Sequence, residues 1–380
     1  MGENKPTKAA FAEVFEEVKR SGGDATLIGK QRHREGKGLH ELVDPKGFGG
    51  IRFSRNRFEH VLEKWFRLNV AQAMLLETLF DTTGSMGHNV QLAFDSLPRA
   101  YHLLMEAVGA PLARYDLQII SSIFGDVVDN YVLQRSQAEM DIKIAEELRM
   151  MVPESEGGDT DEDPQYGLFA AAYLTAASIV KTGLKSYHFT VTDAPGRSRL
   201  SSETLIRVFG EEVFDRVHEN GYQIDRNKLP STNRVVIDLL KISHAFVIQV
   251  GDSERTRDFW QKMYGSDRIV TVSSTRYLPE IEAAVIGLTE GTLTLKNVEK
   301  FLMDEAKLSK AEAMQIKRAV AGIPIGAQAN LPNFDKMPVA GDLFASKEDV
   351  WPTKRVGDTA DEADEGLVAE TDSKDVGMWD

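Results

Sequence analysis

Asp81, Thr83 and Ser85 stand at every second position of the run Asp81-Thr82-Thr83-Gly84-Ser85-Met86. One carboxylate and two hydroxyls at that spacing can all face one point, and they offer it only oxygen. Oxygen-only donor sets suit hard cations such as Mg²⁺ or Mn²⁺ rather than zinc. A mostly apolar run, Met74 to Phe80, leads into the turn, and an amphipathic stretch, Asn89 to Val108, follows it. Strand, polar turn and helix in that order place the three side chains at the carboxyl end of a strand. In open α/β sheets that rim binds ligands. The competing explanation is a plain strand-to-helix turn in which an Asp or Ser caps the helix.

Two later stretches add to the first. Gly157-Gly158-Asp159-Thr160-Asp161-Glu162-Asp163 is a glycine turn rich in oxygen donors just before a helix. Tyr187-His188-Phe189-Thr190-Val191-Thr192-Asp193-Ala194-Pro195 is a β-rich run ending in Asp and a turn. The three segments, in this order, resemble the von Willebrand factor A (vWA) family and its metal-ion-dependent adhesion site. In that family an Asp-x-Ser/Thr-x-Ser turn, a Thr or Asp in a later loop, and an Asp after the fourth strand hold one Mg²⁺. The resemblance implies that Ser85 binds the metal directly and Asp81 mostly through water. Thr83 matches the family's first Ser and keeps its hydroxyl, and Asp193 grips a metal-bound water. For the loop ligand it leaves Asp159 and Thr160 both open, because the loop is longer than the integrin form. Asp161, Glu162 and Asp163 are expected to be an acidic first turn opposing a helix dipole, and His88 a rim residue. Thr160 to Leu168, Asp193-Ala194-Pro195 and Asn233 to Gly251 are more similar to intracellular A domains, found beside α-kinases and in bacterial gene clusters, than to the integrin type. The resemblance covers about 220 residues, without a kinase segment.

The elements that must position these residues alternate along the chain. Strands are expected at Met74 to Phe80, Asp116 to Phe124, Tyr131 to Gln134, Lys185 to Thr192, His244 to Val250 and Arg268 to Val272. Between them lie helical patterns, including one alanine-rich helix over Gln165 to Lys181. Mostly apolar strands alternating with helices imply an α/β, doubly wound, mostly parallel six-stranded sheet covered on both faces. The expected divisions are a partly helical N-terminal extension at 1–70, the A domain at 71–291, a helical pair and strap at 292–345, and a disordered acidic tail at 346–380. Helices are expected at Ala9 to Lys19 and Phe58 to Leu68, with an irregular segment between Gly22 and Gly50. In the C-terminal pair, Ser309 and Glu312 form a capping box.

Composition narrows the function classes. The chain has 380 residues and no Cys, which excludes disulfides and thiolate metal sites. No apolar run is long enough to cross a bilayer, and the polar start lacks a signal core. A cytoplasmic protein is the expectation. Net charge is −14, and from Lys347 to Asp380 there are four basic and eleven acidic residues. That balance argues against nucleic acid as a partner. Arg52, Arg55 and Arg57 beside Phe53 and Phe58 are expected to belong to a solvated docking arm. Catalysis is not expected: an Asp-x-Asp phosphotransfer site would need an acid at Thr83. The leading expectation is an adaptor whose bound ion receives an Asp or Glu from a partner, with a MoxR-type AAA+ ATPase as one partner class. The alternative is a scaffold subunit in which the metal only stabilises the fold.

Overall fold

The computed structural model describes residues 23–48, 73–96, 98–139, 143–154 and 160–336, with positions 13, 16–18 and 20. The expected helix at Phe58 to Leu68, the arginines at 52, 55 and 57, the loop residue Asp159 and the acidic tail all lie outside the described residues.

Six strands form one sheet: β1 (Ala73–Asp81), β2 (Asp116–Phe124), β3 (Leu133–Arg135), β4 (Ser186–Thr192), β5 (Ser243–Val250) and β6 (Ile269–Val272). Their order across the sheet is β3-β2-β1-β4-β5-β6. Every neighbouring pair is parallel except β2 and β3, a short antiparallel edge. β4 and β5 are buried at every position, as strands covered on both faces must be.

Among the described residues the α-helices longer than four residues are, in chain order, α1 (Leu27–Arg34), α2 (His88–Ser96), α3 (Lys143–Arg149), α4 (Gln165–Phe169), α5 (Ser202–Phe209), α6 (Val213–Glu219), α7 (Thr232–Ile242), α8 (Glu254–Tyr264), α9 (Leu278–Glu290), α10 (Val298–Asp304) and α11 (Lys310–Ala319), with shorter turns between them. Alternate residues of β1 feed two cores. Leu76 and Phe80 pack with Phe94 of α2, Leu148 of α3 and Ile281 of α9. Leu79 faces Phe169 of α4, Phe209 of α5 and Trp260 of α8. The C-terminal pair and the strap cover α9, all thirteen of whose residues are buried. Gly326 and Gln328 donate backbone hydrogen bonds to Leu288 and Thr289 at its end. The Ser309–Glu312 capping box starts α11.

Two expectations fail. The segment from Gly22 to Gly50 contains a helix, α1. It is fixed by Asp24, which accepts from the Thr26 backbone N at 2.9 Å and the Lys30 Nζ at 2.9 Å. Gly29 within it lies so close to the Met150 and Met151 carbonyls that a Cβ would fall 2.2 Å from an oxygen. The single helix expected over Gln165 to Lys181 is broken. α4 passes into a π turn over Ala170–Leu174, and Thr175 is extended. The Thr175 hydroxyl donates to the Ala170 carbonyl at 2.8 Å and accepts from Arg135 at 2.7 Å, so side-chain bonds replace the helical ladder.

Candidate metal centre

β1 is the strand from which the chain turns both ways, pairing with β2 on one side and β4 on the other. Its carboxyl end beside that of β4 is therefore the switch point of the sheet, where the crevice of a doubly wound fold opens. Asp81 closes β1, and Asp193 follows the last residue of β4.

Asp81 is fully buried. Its Oδ1 accepts from the Thr83 backbone N at 2.9 Å and the Thr83 hydroxyl at 2.6 Å, and its Oδ2 accepts from the Thr192 hydroxyl at 2.6 Å. The Thr83 hydroxyl lies 3.4 Å from that of Ser85, which donates to Asp193 Oδ1 at 2.8 Å. Ser85 sits in a one-turn 3-10 helix, Gly84–Met86, anchored by the buried Met86. The next residue, Gly87, has φ 44°, a left-handed conformation that favours glycine. The turn bearing Asp193 is clamped by α8: Thr256 donates to the Asp193 carbonyl at 3.0 Å, and the Trp260 indole to that of Ala194 at 3.0 Å.

Asp81, Thr83, Ser85 and Asp193 thus form one connected group. Thr160 does not join it. Its side chain is exposed, and its hydroxyl accepts from Arg255 Nη1 at 3.0 Å. Asp161 pairs with the same arginine. The acidic residue the structure places beside the group is Glu162, which sequence reasoning assigned to a helix turn. It is 4 % exposed, and its Oε2 has no hydrogen-bond partner. Its backbone is stitched to the chain beyond Asp193, with Glu162 N donating to the Pro195 carbonyl at 2.9 Å and Arg197 N to the Glu162 carbonyl at 3.1 Å. Nothing in the local spacing separates Glu162 from Asp161 or Asp163; the bridge to Gly196 selects it. Asp163, directly before the N-cap of α4, is held by partners from other elements. It is buried and accepts from the Val127 backbone N at 2.9 Å and from Arg197 Nε at 3.1 Å.

Asp81, Glu162 and Asp193 have the electrostatics of buried, crowded acids. Burial, with the nearby Asp193, pushes Asp81 up to about 6 despite its three hydrogen bonds. Burial, then the charges of Asp81, Asp126 and Asp193, pushes Glu162 up to about 8. Burial raises Asp193 as well. Among the described residues no three His, Cys, Asp or Glu side chains make a metal cluster by themselves. Oxygen donors only, repelling acids and an orphaned buried carboxylate oxygen together fit a hard divalent cation.

No protein-family model matches the chain, and no curated protein matches it. Among solved structures, proximal thread matrix protein 1 from the mussel byssus, with a zinc-occupied MIDAS motif, is 15 % identical with a TM-score of 0.36; the match covers 57 % of this chain and 47 % of that one. The pilus adhesin SpaC from Lactobacillus rhamnosus GG, in an open conformation, is 13 % identical with a TM-score of 0.39, covering 57 % of this chain and 30 % of that one. The chain thus spans less than half the length of either. At identities and scores this low the likeness decides nothing about the site.

Proposed function

We propose that this chain is a metal-dependent protein-binding module of the vWA type. Asp81, Thr83, Ser85 and Asp193 would hold one Mg²⁺ or Mn²⁺, with Glu162 alongside and Asp159 as a further loop candidate. When bound, the ion supplies a Lewis-acidic position for an anionic oxygen, and a partner's Asp or Glu is the proposed occupant. The observation that carries the reading is the bonded chain Thr192–Asp81–Thr83–Ser85–Asp193 at the switch point of the sheet. Asp81 is deep and held by three donors, whereas Ser85 is exposed and Asp193 half-buried, so the group is fixed from below and open above. The reading is binding rather than turnover, since Thr83 stands where a phosphotransfer pair would place its second acid. A cytoplasmic adaptor serving an AAA+ ATPase, signalling or defence assembly is the proposed setting. Among the described residues no helix is long and apolar enough to cross a membrane.

The test begins with melting temperature in Mg²⁺, Mn²⁺ and chelator. The parent should be stabilised by metal and Asp81→Asn should not. Asp81→Asn should also melt higher than the metal-free parent, because it removes a buried charge that lacks a counter-ion. Affinity capture in Mg²⁺ and in chelator then separates adaptor from scaffold. A partner retained equally in both buffers would leave the metal with a stabilising role only.

A further inference from the structure

Arg197 reaches the acidic loop from several directions. Its backbone N donates to the Glu162 carbonyl at 3.1 Å, and its own carbonyl accepts from the Thr232 hydroxyl at 2.6 Å. Its Nε donates to Asp163 Oδ1 at 3.1 Å, and its Nη2 lies 3.7 Å from Asp126 Oδ1. Asp163 and Asp126 are buried, 0 % and 1 % exposed. The charges of Asp81, Asp126 and Asp193 all act on Glu162, so these acids crowd one region. An ion entering there would be shared among carboxylates unless some were already neutralised.

We propose that Arg197 is a positioning residue of this centre. Its guanidinium, seated on Asp163 and beside Asp126, takes those two carboxylates out of competition for the cation. Its backbone bond to Glu162 fixes the main chain that carries the unpartnered Oε2. The planar fork suits two acids at once, which an ammonium group would not. The inference rests on the reading of the rim as a divalent-cation site.

The sign of the effect makes it testable. Simple electrostatics predicts that deleting a positive charge beside a cation site strengthens cation binding. Positioning predicts the reverse, with losses of about tenfold, the usual scale for a group that orients metal ligands. The probe is Mn²⁺ titrated into the full chain, with free ion read by paramagnetic resonance and bound ion by water-proton relaxation. The parent should bind saturably and Asp81→Asn should not; if either fails, the cation reading falls and the role of Arg197 with it. Arg197→Met should bind about tenfold more weakly, with higher relaxation per bound ion as water replaces the Glu162 oxygen. Arg197→Lys should be intermediate. Arg199→Met, which removes an exposed arginine nearby, should stay within about twofold of the parent. If the parent binds through Asp81 but Arg197→Met binds as well or more tightly, Arg197 has no positioning role. Should Arg197→Met not fold, Arg197→Lys decides alone: charge is conserved, so weaker binding supports the proposal and parental affinity overturns it.

Discussion

Thr192 shows how much of the rim depends on single hydroxyls. It is buried, donates to Asp81 Oδ2 at 2.6 Å and accepts from the Ala194 backbone N at 3.1 Å. It therefore ties the first acid of the group to the turn that carries the last. Thr192→Val keeps the shape and removes both bonds. The Ala194 N–H and one Asp81 oxygen then lose a buried partner, which costs about 1–3 kcal/mol. Urea unfolding should record that loss, and Mn²⁺ affinity should fall with it. A variant as stable as the parent would mean that water takes over the hydroxyl's bonds.

At the scale of elements, a buried polar cluster joins four strands beneath the rim. Glu77 of β1 accepts from Arg135 of β3 at 2.8 and 3.0 Å and from Ser122 of β2 at 3.0 Å, while His188 of β4 lies 3.8 Å away. Burial alone would raise Glu77, but the Arg135 charge and its two bonds, with His188 close by, hold it well below the usual carboxylate range. A depressed carboxyl contributes stability above its unfolded value, about pH 4.3, and that contribution is lost in acid. Arg135→Met leaves Glu77 buried and unpaired, and should destabilise the protein by about 3–5 kcal/mol. The double change Glu77→Met with Arg135→Met should recover much of that loss, because it buries no charge. Denaturant midpoints of the two variants decide it; equal losses would show that the pair matters by shape rather than charge.

For the whole molecule, two acids of α9 add a pH dependence outside the rim group. Glu282 is buried and accepts from Thr78 at 2.7 Å; burial, then Glu280, pushes it up to about 7. Glu290 accepts from Tyr187 at 2.7 Å and Tyr115 at 3.0 Å, and burial pushes it up to about 7 as well. A carboxyl raised in the folded state binds its proton more tightly there than when unfolded. Its contribution is full below about pH 4.3 and is lost as pH rises through 7, on the order of 3 kcal/mol for each group. Burial lowers His244 to about 4, which acts in the opposite sense, its stability being lost as pH falls from 6.5 toward 4. Above pH 6.5 only the acids of this trio remain, and Glu162 at the rim, raised to about 8, acts in the same sense, so stability should decline between pH 6.5 and 8. Glu290→Gln should flatten that decline in a series of denaturation curves; an unchanged slope would assign it elsewhere.

The local features were legible in the sequence. The bounds of β2, the Ser309–Glu312 cap and the alternation of Asp81, Thr83 and Ser85 are written in period, caps and spacing within a few residues. The six-stranded α/β class followed from the order of such segments. Tertiary structure decided what depends on distant residues. Asp81 meets Thr192 across 111 positions, and Glu77 meets Arg135 across 58. Glu162 rather than Thr160 turns inward because its backbone bridges to Gly196, and Thr160 is drawn outward by Arg255 across 95 positions. In a loop of consecutive oxygen donors, residue type does not say which side chain faces the strand ends. That is settled by which neighbouring segment supplies its backbone partners, and by the burial that follows.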